Sequence, residues 1–201
     1  MTATALAIYV LFALLALVWR GWLQYRRTGD DGLRGFSGRV GSMEWLGGCL
    51  LTLGAFAGLL ALVADLGGNT PVILLVLPTP LRGGGIALMV LGVVFTLVAQ
   101  VEMGSSWRVG VDSTEATELV TTGLFRWVRN PIFGAMLTVF LGLLLTVPNL
   151  IACFAFIAST AGIELHVRRV EEPYLIRIHG ERYLSYARRV GRFVPGFGRI
   201  E

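Results

Sequence analysis

The chain has 201 residues, of which 55% are apolar and 15% charged, against about 25% charged in a soluble domain. That leaves too little polar surface for a water-soluble globule. The net charge is +4 and all seventeen cations are Arg. These flank apolar runs rather than forming one basic domain, which argues against nucleic acid as a partner.

The predicted elements are helices. A bilayer core about 30 Å thick needs about 20 apolar residues in a helix. Ala3 to Trp22 is the first such run; it lacks a positive leading region, so a cleaved signal peptide is not expected. Met43 to Ala64 is the second run and Gly85 to Val101 the third. Pro71 to Leu81 is apolar but short, and reads as an outer loop or shallow helix broken by Pro78 and Pro80. Pro131 to Val147 and Leu150 to Val167 are the fourth and fifth runs, joined by a hairpin at Pro148-Asn149. Residues 168 to 201 form a tail. The expected fold is therefore an all-α, polytopic membrane protein: one membrane domain, 1 to 201, with about five transmembrane helices and a C-terminal amphipathic helix.

Orientation follows from Arg placement. Sixteen of the seventeen fall in the first loop, the third loop and the tail, and only Arg82 in the second. Cations concentrate on the cytoplasmic side, so the N-terminus is expected outside and the tail inside. The Arg bias fits a GC-rich genome, and a bacterial cell membrane is the expected location.

Within the spans most features read as structural. Gly54 and Gly58 form a GxxxG pair suited to close helix packing. Gly83-Gly84-Gly85 lacks the strand and helix context of a phosphate loop. Trp19, Trp22, Trp45, Trp107 and Trp127 lie near span ends, where interfacial anchoring is the default. Cys49 and Cys153 sit inside apolar runs as buried thiols, without metal-ligand spacing; no metal site is expected.

Polar residues cluster in two segments beside the last two spans, Glu102 to Pro131 and Glu164 to Pro195. In Arg129 to Gly134, RNPIFG, Asn130 is placed to cap a helix and Pro131 to open it. Free N–H groups at that end, with Arg129 beside them, make a carboxylate or phosphate site. Glu171 and Glu172 follow the fifth span, either paired with Arg168 or Arg169 or facing ribose hydroxyls or a cationic ligand. His179-Gly180 makes a turn into an amphipathic helix whose one face carries Tyr183, Tyr186 and Val190. Gly104 to Val111, GSSWRVGV, offers small residues for close approach and Trp107 for stacking on a base.

In this order, RNPIFG, the hairpin at Pro148, EEPYL, HGERYLSY and VGRFVP resemble the isoprenylcysteine carboxyl methyltransferase superfamily of integral-membrane enzymes, which includes phospholipid N-methyltransferases. The family pattern runs R-H-P-x-Y-x-G, hairpin, E-E-x-x-L, F/H-G-x-x-Y-x-x-Y and V-x-R-F-x-P. Each motif alone is weak; five in order are specific, and the match spans about Gly104 to Pro195. The resemblance implies S-adenosyl-L-methionine as methyl donor, bound at the cytoplasmic face. Cofactor-contacting positions would then be Arg129, Asn130, Pro131, Phe133, Glu171, Glu172, His179, Tyr183 and Tyr186, with Gly104, Ser106 and Trp107 enclosing the adenine end. Arg129 would hold the methionine carboxylate, and Glu172 with it is the expected catalytic pair. Asn130 stands in place of the family His and Phe133 in place of the family Tyr. Asn caps and donates but does not titrate, which argues against a histidine base there and against a prenylated cysteine as substrate. The expected partners are the lipid bilayer and a lipophilic acceptor bearing a carboxylate, amine or thiol. The alternatives are a non-catalytic scaffold or sensor on the same fold, and a small transporter. The near-absence of charge at mid-span weighs against the transporter.

Overall fold

A computed structural model describes residues 1–32, 38–70, 72–108 and 118–200. Its chain order is α1 (Thr2–Thr28), α2 (Met43–Leu66), α3 (Thr79–Met103), α4 (Pro131–Thr146), α5 (Leu150–His179) and α6 (Glu181–Arg189). α1, α2, α3 and α5 are long and apolar enough to cross a bilayer; α4, at 16 residues, is about 24 Å long. The protein is an all-α polytopic membrane protein. Its outward faces carry Leu11, Val18, Leu60 and Ile157, apolar side chains left for lipid to cover.

Two antiparallel pairs, α3 with α4 and α2 with α5, form the frame. Small residues allow it. A Cβ at Gly142 would lie 2.5 Å from the Gly85 carbonyl, and one at Gly92 2.7 Å from the Ala135 carbonyl. In the other pair a Cβ at Gly54 would collide with Ser159 Oγ. Gly58 instead receives Tyr9 of α1, so the GxxxG pair serves packing within the chain. Tyr9 donates to the Ala55 carbonyl at 2.8 Å and meets Phe140 edge-on at 6.1 Å, locking α1 onto both pairs.

Local chemistry sets the helix ends. Ser42 Oγ accepts from Trp45 N at 3.2 Å and starts α2. Asn149 Oδ1 accepts from Ala152 N at 2.8 Å and starts α5, giving the tight hairpin expected at Pro148. Several boundaries differ from the sequence reading; α1, for one, runs on to Thr28 rather than ending at Trp22. α3 begins at Thr79 rather than Gly85, because Pro80 suits a first helical turn and Arg82 Nε reaches the Thr146 carbonyl at 2.9 Å. The glycine triplet thus lies inside a helix. Residues 72–78 form a loop in which Leu74 N reaches the Pro148 carbonyl at 2.9 Å. α5 does not stop at Val167; it continues through a π-helical turn, Val167–Glu171, to His179.

A second π-helical stretch, Leu14–Trp19, interrupts α1. It precedes Arg20, which is fully buried. Arg20 Nη2 donates to the Gly104 carbonyl at 2.6 Å, Nη1 to Gln24 Oε1 at 3.0 Å, and the guanidinium lies 4.5 Å from the centre of the Trp107 ring. Gln24 Nε2 reaches the Ser105 carbonyl at 2.8 Å and Gln100 Nε2 the Ala16 carbonyl at 2.9 Å. This polar seam ties the end of α1 to the end of α3. Trp107 is therefore 2% exposed, packed under a cation rather than anchored at the membrane surface.

Candidate active site

The site is built around the start of α4. Gly92 faces Ala135 and Val139 across the α3–α4 contact, so Pro131 lies about one turn short of the end of α3. The recess left there is closed by the tail. Arg129 N donates to the Gly191 carbonyl at 2.8 Å and Asn130 N to the Arg192 carbonyl at 2.9 Å, so the RNP segment and the VGRF segment run side by side. α6 packs over them with Tyr183, Tyr186 and Ala187 buried and Glu181, Arg182, Arg188 and Arg189 outward, the amphipathic cap expected. Tyr186 donates to the Phe125 carbonyl.

A buried ionic cluster pins this arrangement. Glu172 Oε1 accepts from Arg129 Nη2 at 2.6 Å and from Arg192 Nε at 2.8 Å; Oε2 accepts from Arg192 Nη2 at 3.0 Å. Arg129 also donates to the carbonyls of Ala187 (3.0 Å), Val190 (2.5 Å) and Gly198 (3.0 Å). Burial opposes ionisation of Glu172, which lies in the charged extension of α5, past the apolar run that ends at His166. Hydrogen bonds and charge from Arg192 and Arg129 outweigh it and hold the carboxyl below its ordinary range. Burial and the same carboxylate push the Tyr183 phenol up to about 12.

Beneath the cap lies a cavity of about 590 Å³. Its tail-side walls include Trp107, Arg129, Asn130, Pro131, Phe133, Glu171, Tyr183 and Tyr186. It continues past Met136 and Phe140 into an apolar stretch between α1 and α2, lined by Phe12, Leu17, Leu51, Phe56 and Leu59. One volume thus joins a polar end to a lipid-like end, within the usual size of small-molecule sites, about 300–1,000 Å³.

Eight of the twelve residues singled out from sequence border this cavity; Gly104, Ser106, Glu172 and His179 do not. The two adjacent acids diverge, as neighbours on a helix must. Glu172 turns to the arginines, whereas Glu171 faces the cavity, 3.5 Å from His166 Nε2. Neither takes Arg168, which pairs with Glu164 at 2.5 Å. Gly104 serves through its carbonyl, the acceptor for Arg20. The four terminal N–H groups of Arg129 are all engaged within the chain, so the carboxylate-holding task expected of it has only Nε left without a partner among the described residues. Asn130 occupies the N-cap position of α4, yet its side chain makes no capping bond; Nδ2 donates to the Arg192 carbonyl at 3.4 Å instead. The first turn of α4 therefore keeps uncapped N–H groups at the cavity wall. Val109 to Val111 of the small-residue element lie outside the described residues.

Sequence reasoning did not single out Arg192 or His166. Arg192 completes the ionic cluster, and its signal was its place in VGRFVP. His166 borders the cavity and meets Phe133 edge-on at 5.9 Å; its only trace in sequence is a His closing an apolar run five residues before Glu171.

The protein's relatives are membrane methyltransferases. Protein-S-isoprenylcysteine O-methyltransferase B of Arabidopsis thaliana is 27% identical over 113 residues, 55% of this chain and 57% of that protein. The match thus spans little more than half the length of that relative. The eukaryotic intramembrane Ras methyltransferase ICMT (isoprenylcysteine carboxyl methyltransferase) superposes with a TM-score of 0.52 at 16% identity, covering 100% of this chain and 96% of that one, a likeness of fold. A sequence model of phospholipid methyltransferases matches residues 81–182, half of the chain, from the start of α3 into α6. The chain belongs to the phospholipid methyltransferase family.

Proposed function

We propose that this protein is an S-adenosyl-L-methionine-dependent methyltransferase that acts at the cytoplasmic membrane face on a lipophilic acceptor. The observation that carries the reading is the continuous cavity whose polar end lies under the tail and whose other end opens among apolar residues of α1 and α2.

The residues present fit the donor. Uncapped N–H groups and the partial positive charge at the start of α4 suit a carboxylate. Glu171, whose carboxyl borders the cavity, suits an amino group or ribose hydroxyls. Trp107, Tyr183 and Tyr186 offer ring faces and edges near the same end. When bound, the donor supplies an activated methyl group on a sulfonium. The chain then has to align that methyl with the acceptor within about 3–3.5 Å and keep water out. Arg129, Glu172 and Arg192 act as positioning residues in this account: they hold the tail as a roof over the cavity. Phe12, Phe56 and Leu59 accommodate an alkyl chain and bring the acceptor's head group to the polar end. The Arg distribution supports an N-terminus outside and a tail inside, which puts the donor entrance in the cytosol.

The test is to incubate protein in nanodiscs with methyl-labelled donor and host lipid extract, and to identify the labelled product by mass spectrometry. Labelled lipid that disappears in Glu171→Ala supports the reading. Binding of the donor without any labelled product favours the scaffold or sensor, and no binding at all sinks the proposal.

A further inference from the structure

Besides Arg129 Nε, two further polar atoms of cavity-lining residues lack partners among the described residues. Thr96 Oγ1 and Gln100 Oε1 have no hydrogen-bond partner among the described residues. Both residues border the cavity, and they are 0% and 3% exposed. They stand four apart on α3, on the same helix face. The orientation of the Gln100 amide is fixed: Nε2 must donate to the Ala16 carbonyl at 2.9 Å, which leaves Oε1, an acceptor only, at the far side of the amide. The π-helical turn of α1 presents that carbonyl. A buried acceptor without a donor is costly, more so in a membrane interior where no water repays it.

We propose that Thr96 and Gln100 form a hydrogen-bonding subsite for a neutral O–H or N–H group on the lipophilic acceptor. This rests on the methyltransferase reading and narrows it: a carboxylate acceptor presents lone pairs to Gln100 Oε1, whereas an alcohol, amide or neutral amine presents the proton that Gln100 Oε1 lacks. The subsite belongs to the acceptor rather than to the methyl donor because α1 frames it. Ala16 holds the amide, and Phe12 and Leu17 of the same helix line the apolar stretch of the cavity.

The probes are 1-dodecanol, dodecanoate and dodecane, matched in chain length, titrated into full-length protein in one detergent while the unfolding midpoint is followed. Wild type is expected to bind dodecanol about tenfold more tightly than dodecane and dodecanoate no more tightly than dodecane. Thr96→Val keeps the shape and removes the hydroxyl; Gln100→Leu removes the amide. Each is expected to erase most of the dodecanol preference. Affinity for S-adenosyl-L-methionine is expected to stay within about twofold of wild type in both variants. Equal binding of the three probes by wild type overturns the proposal, as does a dodecanol preference that survives in Thr96→Val, which does not touch the Ala16 anchor. Loss of S-adenosyl-L-methionine binding in Thr96→Val also overturns it, by assigning the subsite to the donor. If wild type binds no S-adenosyl-L-methionine but discriminates the probes, the enzymatic reading fails and the subsite stands.

Discussion

Replacing Glu172 by Gln isolates the ionic cluster from the membrane helices. In wild type the carboxylate accepts three bonds, one from Arg129 at 2.6 Å and two from Arg192 at 2.8 and 3.0 Å. An amide oxygen at the Oε1 position keeps the first two. The amide nitrogen then meets Arg192 Nη2 donor to donor, and two buried guanidiniums lose their only close anion among the described residues. Removing one partner of a buried pair costs about 3–5 kcal/mol. With two of the three acceptances kept, the lower figure applies, about 3 kcal/mol. The loss falls on the docking of the tail, because the cluster joins Arg129, ahead of α4, and Glu172 to Arg192 in the tail. The backbone N–H groups of Arg129, Asn130 and Arg192, bonded to Gly191, Arg192 and Phe197, report it. At about 1.4 kcal/mol per tenfold, their hydrogen exchange is expected to quicken by about two orders of magnitude. Exchange in α3 and in the Leu150–His166 stretch of α5 is expected to change little. Glu164→Gln, which removes an exposed pair with Arg168, is the control, worth at most about 0.5 kcal/mol. Exchange at Arg129 and Asn130 within threefold of wild type in folded Glu172→Gln refutes the pinning role.

Further outcomes follow from the same geometry. Because the Glu172 carboxyl is held below its ordinary range, its contribution is present above the unfolded value of about 4.3 and is lost as pH falls through the lower folded value. Protection of the Arg129 and Asn130 amides, corrected for intrinsic rate, is therefore flat from pH 7 to 5 and falls only below about pH 4. Gly142→Ala forces a Cβ toward the Gly85 carbonyl and lowers stability by about 1–3 kcal/mol in thermal unfolding in detergent. Gly84→Ala, with open space around it in the same helix α3, is neutral or stabilising by up to about 1 kcal/mol. Arg20→Met leaves the Gly104 carbonyl and Gln24 Oε1 without their donor and costs about 2–4 kcal/mol by the same assay. Arg20→Lys recovers only part of it, since an ammonium lacks the fork that reaches both and the planar face over Trp107.

The membrane helices were legible because apolar runs near 20 residues have few other uses, and the hairpin because Pro148-Asn149 leaves no room for a longer connection. The start of α3 was hidden: Arg82 and three glycines look like a loop until Thr146 supplies the arginine's acceptor. The extension of α5 was hidden by its charges: Glu172 finds its partners, Arg129 and Arg192, elsewhere in the chain. At the site, motif order brought Arg129, Asn130, Phe133, Glu171 and Tyr183 to one cavity. It could not tell that Glu171 faces inward while Glu172 faces the arginines, because a pattern of adjacent letters carries no direction. The Arg20, Gln24 and Gln100 seam left no local signal. Each residue is ordinary alone, and only the contact between α1 and α3 gives them partners.

The central claim is that the cavity under the tail holds S-adenosyl-L-methionine. Equilibrium binding of the labelled compound to full-length protein in nanodiscs tests it most directly, with Glu171→Ala and Glu164→Ala measured alongside. The account predicts saturable binding by wild type, at least tenfold weaker binding by Glu171→Ala, and no change in Glu164→Ala, whose carboxylate pairs with Arg168 away from the cavity. Absence of saturable binding by wild type, or equal affinity in wild type and Glu171→Ala, contradicts it.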